Sequence, residues 1–455
     1  MTSAAASPGG ALAPPREKHP RGLFLLFGVE MWERFSYYGM RALLVLYLVD
    51  KVHGGMSWSK ESAQKLYGTY GFLVYLLPVG GGWLADRFIG THRAMLIGAC
   101  IIACGHFCLA VPGDTTFFLG LGLIILGTGF FKANVSTMVG QLYRQDDPRR
   151  DGGFTIFYMG INLGAFFGPI VCGALATSPR FGWHWGFGAA GVGMVLGLVM
   201  YVVLKARFLP GIGLTPAEKR AAQPAATAPA AALTAHQRQH VLALFVIFAF
   251  IIFFWAAFEQ AGSSMNLFAD EHTRLTYGGF KIPAEWFQSV NPLIILAFAP
   301  VFAALWLRLA KRGRDPSTPA KMSIGLALVG VGFVILVAGA RLSDAGALVS
   351  PSFLLGAYAL HTFGELCLSP IGLSVVSRLA PPRHASLFMG LWFVATAMSE
   401  FIAGHLAAAT DKIARGEVFH LFGGQADFFF IFVVSSLAAA LALAALTPWL
   451  RKLMT

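Results

Sequence analysis

Apolar stretches of membrane-spanning length recur along the whole chain and constrain its fold more than any other feature. A helix needs about 20 apolar residues to cross the hydrocarbon core of a bilayer. Inside a bilayer every backbone polar group must find its partner within the protein, so repeated stretches of this length fold as packed helices. Only 12% of the 455 residues are charged, whereas soluble proteins carry about 25%. We therefore predict an all-α, multi-pass inner-membrane protein.

Twelve membrane spans are predicted from these stretches. They lie at about 22–50, 64–86, 93–112, 115–141, 152–177, 184–205, 240–269, 286–309, 322–341, 351–377, 386–410 and 427–450. If both termini are cytoplasmic, the cytoplasmic side carries 22 of the 34 Lys and Arg residues and the outer loops carry 9. This bias follows the positive-inside rule. The net charge of +12 is therefore interpreted as a topology signal, and no nucleic-acid partner is predicted.

The predicted spans fall into two groups of six. Residues 1–205 hold the first group and residues 240–455 the second, and the polar, Ala- and Pro-rich segment 206–239 is predicted to join them as a cytoplasmic linker. Two six-helix halves are the architecture of the major facilitator superfamily. The loop from Gly82 to Arg93 resembles the signature of that superfamily between helices 2 and 3. The chain is thus predicted to form two six-helix bundles around a central cavity.

Away from the span ends, eight Glu, Lys and Arg side chains lie inside predicted spans. Each costs about 2.5–3.5 kcal/mol at the centre of a bilayer, so each is expected to face a cavity or an opposite charge. They are Glu30, Glu33, Arg34, Arg41, Lys132, Glu259, Glu365 and Glu400. A cavity that holds charges of both signs suits a zwitterionic ligand.

The first span carries the densest group of these residues. Intervals of three, four and seven place a row of polar side chains on one helix face: Glu30, Glu33, Arg34, Tyr37 and Arg41. Glu30 and Arg34 are four residues apart and can pair, so Glu30 competes for Arg34 with any carboxylate that enters the cavity. Protonation of a glutamate would free Arg34, which is the elementary event of proton coupling. A static internal salt bridge is the alternative interpretation.

Several motifs resemble the proton-dependent oligopeptide transporter family, and together they cover nearly the whole chain. They are the ExxER motif of Glu30–Arg34 with the following Phe-Ser-Tyr-Tyr, then Phe157–Gly164, Trp255–Gln260, Asn291-Pro292, Gly364–Ser374, and Trp392 with Thr396. Each motif is weak alone, whereas the ordered set is specific. The resemblance implies a proton-coupled symporter that imports di- and tripeptides by alternating access, and not an enzyme.

The resemblance also implies a role for each matching residue. The peptide carboxylate would be bound by Arg34, Arg41 and Lys132. The peptide ammonium group would be held by Asn162, Asn291 and Glu365, and its side chains would meet Tyr37, Tyr75 and Trp392. Proton coupling would rest on Glu30, Glu33 and Glu259. As the two halves close, Glu259 would pair with Arg41 and Glu365 with Lys132.

The sequence departs from the family pattern at two places, and Glu400 matches no family residue. The linker is too short and polar for the two extra helices of many bacterial members, so the twelve-helix form is predicted. The segment Leu66–Thr69 lacks the histidine that animal members carry there, so coupling is expected to rest on glutamates. For Glu400, a second proton site and a pair with His405 both stay open.

Other functions remain as alternatives. A nitrate-type anion carrier would use the same cations, although the intact ExxER motif argues against it. A multidrug antiporter would need fewer fixed cations. A membrane-embedded enzyme or a peptide sensor belongs to another class, but no nucleophile–base pair, metal-binding motif or cofactor loop is found. No metal or cofactor is therefore predicted, and the expected partners are small peptides, protons and the lipid bilayer, with the protein acting as a monomer.

Overall fold

The structure is a computed structural model that describes residues 18–144, 147, 149–214, 234–381 and 384–454. These residues are almost entirely helical, as predicted. The central part of the predicted linker, residues 215–233, lies outside the described residues, and so do residues 1–17.

The described part of the first half consists of six long helices, each overlapping one predicted span. They are α1 (Arg21–Val49), α2 (Lys60–Leu84), α3 (Thr91–Leu109), α4 (Asp114–Gln141), α5 (Arg150–Ala176) and α6 (Trp183–Phe208). Helix α1 packs along α5 and α6, and α3 packs along α4. A π-helical turn, Ala85–Ile89, extends α2 into the loop that carries the superfamily signature. Gly90 ends this turn with a φ of 82°, a conformation that glycine adopts without strain.

The described part of the second half has six further membrane-length segments. Its helices are α7 (Ala235–Phe258), α8 (Ser264–His272), α9 (Val290–Lys311), α10 (Thr318–Asp344), α11 (Ser352–Leu379), α12 (Ala385–Ala408), the short α13 (Thr410–Ala414) and α14 (Gln425–Met454). A small antiparallel hairpin of β1 (Thr276–Tyr277) and β2 (Phe280–Lys281) follows α8. A 3-10 turn, Ala284–Ser289, leads from this hairpin into α9.

The seventh predicted span is not one continuous helix, which corrects the sequence interpretation. A 3-10 turn, Glu259–Gly262, separates α7 from α8. Irregular backbone is tolerated at membrane depth only where other groups satisfy its hydrogen bonds. Here the Gln288 side chain and the Tyr358 hydroxyl both donate to Ala261 O, the latter at 3.1 Å, and Gln260 Nε2 donates to Ala256 O at 3.1 Å. The break places Glu259 at the end of α7, opposite the first half.

Helix length and composition agree with membrane crossing. Within the described residues, ten helical segments are long and apolar enough to span a bilayer. Helix α1 is long enough but carries five charged residues, and the described apolar stretch of α11, Ser352–Leu368, is shorter. Helices α1 and α11 are thus the two predicted spans outside these ten segments, and both carry predicted site residues.

The two halves meet chiefly through α2 with α12 and through α5 with α9 and the turn before it. We call the end that bears loops 50–59, 177–182 and 273–283 the outer end, following the predicted orientation. Near this end Gly68 and Gly404 bring α2 and α12 into close contact, because a Cβ added at Gly68 would lie 2.7 Å from Gly404 Cα. Small residues allow such close approach of membrane helices.

Candidate functional site

An ion-pair network surrounds Arg34 on α1. Its Nη2 donates to Glu33 Oε1 at 2.7 Å, and its Nε contacts Glu33 Oε2. The same Nε lies 3.2 Å from Glu30 Oε1, as the four-residue spacing predicted. All three side chains are buried, and Glu30 Oε2 has no hydrogen-bond partner in the described structure. One guanidinium is therefore shared by two carboxylates.

Arg41 forms a second network, and this one joins the two halves. Its Nη2 contacts the Glu259 carboxylate, which the family resemblance implied as its partner. Its Nε donates to the Tyr67 hydroxyl at 2.6 Å. The carboxylate of Glu400 lies 3.5 Å from Nη2, so this guanidinium also faces two carboxylates.

The position of Glu400 settles one of the open alternatives. Glu400 is 1% exposed and packs against α2, where a Cβ added at Gly71 would lie 2.7 Å from Glu400 Oε2. His405 Nδ1 instead lies 2.9 Å from the carbonyl oxygen of Phe401 in its own helix. The alternative pair of Glu400 with His405 is therefore wrong, and Arg41 is the partner. The other Glu400 oxygen, Oε1, has no hydrogen-bond partner in the described structure.

Lys132 and Glu365 lie on opposite halves and are not paired with each other. Lys132 Nζ lies 3.5 Å from the centre of the Tyr75 ring, a cation–π contact. Within the described ranges, no carboxylate oxygen comes within 4 Å of this ammonium group. Glu365 Oε2 accepts a hydrogen bond from Asn291 Nδ2 at 2.8 Å. The structure thus has the Arg41–Glu259 pair formed and the Lys132–Glu365 pair open.

The remaining predicted site residues lie in different surroundings, some charged and some apolar. The Tyr37 ring lies between the two arginines, 4.9 Å from the Arg34 guanidinium carbon and 6.0 Å from that of Arg41. Asn162 is buried and donates to Tyr158 O, one turn earlier on α5. Trp392 packs on Phe248 of its own half at a ring distance of 6.2 Å. Tyr37 therefore joins the charged cluster, whereas Trp392 contacts an apolar wall.

Most polar contacts between the halves lie on one side of the site. In the described chain the following contacts lie in the outer halves of the helices that they connect: Arg41–Glu259, Arg41–Glu400, Lys60–Glu271, Asn266–Ala42, Trp286–Ile170, Ser289–Phe166 and Lys412–Glu61. One contact lies further in, where the Tyr158 hydroxyl of α5 is in hydrogen-bonding contact with the Glu365 carboxyl group. Lys132 lies in the inner half of α4, and Glu365 midway along α11. The halves are therefore held together mainly at the outer end, whereas Lys132 and Glu365, which form no ion pair with each other, lie further in.

Sequence reasoning did not identify three polar residues at this interface. Tyr67 binds Arg41, and Thr362 lies 3.1 Å from Asn291 Nδ2, yet a hydroxyl inside a span has no distinguishing charge. Glu285 is buried to 1% exposure at the outer end. The eighth predicted span begins at residue 286, so the sequence pattern assigns Glu285 to the preceding loop.

Comparisons with known proteins agree with this arrangement. The model of the POT family (PTR2) matches residues 92–210 and 214–421. The chain is 39% identical over 446 residues to the peptide transporter YePEPT of Yersinia enterocolitica, covering 85% of this chain and 87% of that protein. It is 34% identical over 454 residues to a di-/tripeptide transporter of Lactococcus lactis, covering 86% of this chain and 90% of that protein.

A solved structure shows the same fold. The crystal structure of a peptide transporter POT in complex with sulfate superimposes with a TM-score of 0.85 at 37% identity, covering 97% of both chains. The predicted all-α, two-bundle fold is confirmed, and the protein is a multi-pass transporter of the bacterial inner membrane rather than an enzyme. The resemblance stated from the motifs is confirmed as well: this chain belongs to the POT family.

Proposed function

We propose that this protein is a proton-coupled symporter that imports di- and tripeptides by alternating access, and that the structure represents its inward-facing state. The observation that carries the proposal is the pair of unpaired opposite charges, Lys132 on the first half and Glu365 on the second. The names of the similar transporters support the substrate class.

A ligand with charges at both ends can bridge these two residues. Its carboxylate would meet Lys132 and Arg34, and its ammonium group would meet Glu365, Asn291 and Asn162. Each charge-assisted hydrogen bond contributes about 1.5–3 kcal/mol. A bound peptide would thus draw the inner halves of the helices together, which is the movement that alternating access requires. Tyr37, Tyr75 and Trp392 are proposed to line the space for the peptide side chains.

Proton coupling is proposed to arise from the two arginine networks. Arg34 is shared by Glu30 and Glu33, and Arg41 by Glu259 and Glu400, so each buried network carries one carboxylate more than its cation can balance. An uncompensated buried charge is costly, and a proton removes it without breaking the remaining ion pair. We therefore propose Glu30, Glu33 and Glu259 as the coupling residues, with Glu400 as the partner that creates the excess charge at Arg41.

The membrane potential supplies enough energy for such coupling. One proton that crosses 100 mV releases about 2.3 kcal/mol. Since about 1.4 kcal/mol corresponds to a tenfold concentration ratio, this supports about fiftyfold accumulation of a neutral zwitterion. All proposed binding and coupling residues lie within one chain, so we propose the monomer as the transport unit.

Competition for transport tests the substrate class. We expect unlabelled di- and tripeptides to inhibit counterflow of a labelled dipeptide in proteoliposomes, whereas free amino acids and nitrate should not. The physical reason is that Lys132 and Glu365 lie on opposite halves and form no ion pair, and we propose that only a ligand longer than one residue bridges them. Equal competition by a single amino acid, or by nitrate, would contradict the proposed substrate class.

A further inference from the structure

Glu285 lies in the 3-10 turn before α9, away from both arginine networks. Its side chain is 1% exposed, and its Oε2 atom has no hydrogen-bond partner in the described structure. Buried carboxyl groups are almost always paired or hydrogen-bonded, because burial of an unpartnered charge is costly. This residue therefore needs an explanation that the proposed peptide site does not provide.

The Glu285 side chain packs directly against helix α5 of the first half. A Cβ added at Gly173 of α5 would lie 3.1 Å from Glu285 Cβ and 3.6 Å from its Oε2. Two hydrogen bonds from the same turn reach α5: Trp286 Nε1 donates to Ile170 O at 3.1 Å, and Ser289 Oγ donates to Phe166 O at 2.7 Å. The carboxyl group thus sits in the seam between the halves, which we call the outer seam and define as residues 166–173 with residues 284–289.

No cation of the described first half is paired with this carboxyl group. Helix α5 has no Lys, Arg or His from residue 152 to its end, and only Tyr158 and Cys172 can ionise there. The loop after α5 carries Arg180, whose guanidinium lies over the Phe181 ring. The outer part of α1, residues 42–49, contributes only the phenol of Tyr47.

On the second half, the charged groups that act on Glu285 are Asp270 and Lys281, whose charges oppose each other. Neither is paired with Glu285 in the described structure. The closed seam therefore suits the neutral acid. When the outer seam opens, water reaches the carboxyl group and solvates its ionised form.

We infer that Glu285 is a second proton-binding site, located in the outer seam, which takes up a proton when the seam closes and releases it when the seam opens. The inference rests on the proposed alternating access, because only that mechanism requires the seam to open. The proton returns to the side from which it came, so Glu285 would make the closing step respond to the outer pH without changing the number of protons transported.

The sign and size of the effect follow from linkage. At low pH the carboxyl is neutral in both states and the closed seam is favoured. At high pH it is ionised and the open seam is favoured. In one pH range Glu285 holds a proton when the seam is closed but not when it is open. Over that range the ratio of molecules with a closed seam to molecules with an open seam falls about tenfold per pH unit.

The distance between labels on the two halves at the outer end tests this inference. Val52 and Val418 are exposed on outer loops of opposite halves, so Val52→Cys and Val418→Cys can carry spin labels in a full-length chain whose five native cysteines are replaced by alanine. Label distances in nanodiscs would be measured from pH 5 to pH 9. In the otherwise unchanged chain we expect the long-distance population to grow with pH.

Two substitutions and one matched control make the test specific. Glu285→Gln keeps the shape of the side chain without its charge, and its long-distance population should grow less with pH than that of the unchanged chain. Gly173→Ala places a methyl group against Glu285 and should favour the long distance at every pH. Glu417→Gln removes an exposed carboxylate that is paired with Arg415 at the outer end and should behave as the unchanged chain does.

The inference is overturned if Glu285→Gln shows the same pH dependence as the unchanged chain, or if the distances do not respond to pH at all. Dipeptide uptake by the same labelled proteins distinguishes a failure of this inference from a failure of the proposed function. Loss of uptake in the unchanged chain would count against peptide transport, whereas normal uptake with a pH-independent seam would count against Glu285 alone.

Discussion

Charge balance is the feature that matters most at the scale of single residues. Lys132 is the one cation of the predicted site that has neither a carboxylate within 4 Å nor a charged hydrogen-bond partner among the described residues, and it rests on the Tyr75 ring instead. Arg34 and Arg41, in contrast, are each held by two carboxylates. We therefore propose Lys132 as the cation most readily available to an incoming peptide carboxylate.

Replacement of Lys132 by alanine should weaken peptide binding. The loss of one charge-assisted partner, about 1.5–3 kcal/mol, corresponds to a roughly 10- to 150-fold increase in the dissociation constant. Both gradient-driven uptake and counterflow should fall. Lys321→Ala is the matched control, because Lys321 also lies over an aromatic ring, that of Trp306, but is paired with Asp315 outside the site. Unchanged peptide affinity in Lys132→Ala would exclude its proposed role.

The residues of the site were only partly predictable from the sequence. The cost of burying charge identifies Glu259, Glu365 and Glu400 as special, and helical spacing predicts the Glu30–Arg34 contact. The contact of Glu400 with Arg41 joins residues 359 positions apart, and no local pattern encodes such a pairing. Glu285 was missed for another reason: span boundaries are uncertain by several residues, so a buried acid at a boundary resembles a loop residue.

At the scale of helices, the contact of α2 with α12 determines how closely the outer ends can approach. Gly68 faces the Gly404 backbone, and its added Cβ would also lie 2.9 Å from Glu400 O. Neither atom is the end of a flexible side chain, so the helices themselves would have to separate. The close packing of these two helices therefore depends on glycine at this position.

We expect Gly68→Ala to hinder closure of the outer end and to slow both uptake and counterflow. Gly80→Ala is a matched control on the same helix, because nothing lies within 4 Å of its added Cβ. Transport rates per amount of protein in proteoliposomes would check this prediction. A wild-type rate in Gly68→Ala would show that the α2–α12 contact does not limit transport.

Helix existence was predictable, whereas helix continuity was not. All twelve predicted spans overlap helices of the described chain, because runs of apolar residues can satisfy their backbone in a bilayer only as helices. The break at Glu259–Gly262 is stabilised by Gln288 and Tyr358, whose side chains donate to Ala261 O and are brought close by tertiary packing. A sequence window around residue 260 does not contain those partners.

For the whole molecule, the excess of Lys and Arg on one side predicts that both termini are cytoplasmic. Single cysteines introduced into the segment 206–239 should therefore not react with a membrane-impermeant thiol reagent in sealed, right-side-out cells. Cysteine at Val52, an exposed outer-loop position, should react and serves as the positive control. Labelling of the 206–239 segment from outside would reverse the proposed orientation, and with it the direction in which the site opens.

Buried glutamates are proposed to convert the proton gradient into peptide accumulation. A neutral glutamine keeps the shape of the side chain but cannot gain and lose a proton, so it removes the free-energy difference that drives one direction. The most direct measurement is labelled-dipeptide uptake into proteoliposomes with an imposed pH gradient, alongside peptide-for-peptide counterflow without one.

We expect the wild type and the exposed-site control Glu417→Gln to concentrate the peptide. Glu33→Gln and Glu259→Gln should lose this accumulation and keep counterflow, because the cavity can still bind and exchange peptide. If both variants still concentrate peptide under the pH gradient, the glutamates are structural ion-pair partners, and the coupling mechanism proposed for this protein is wrong.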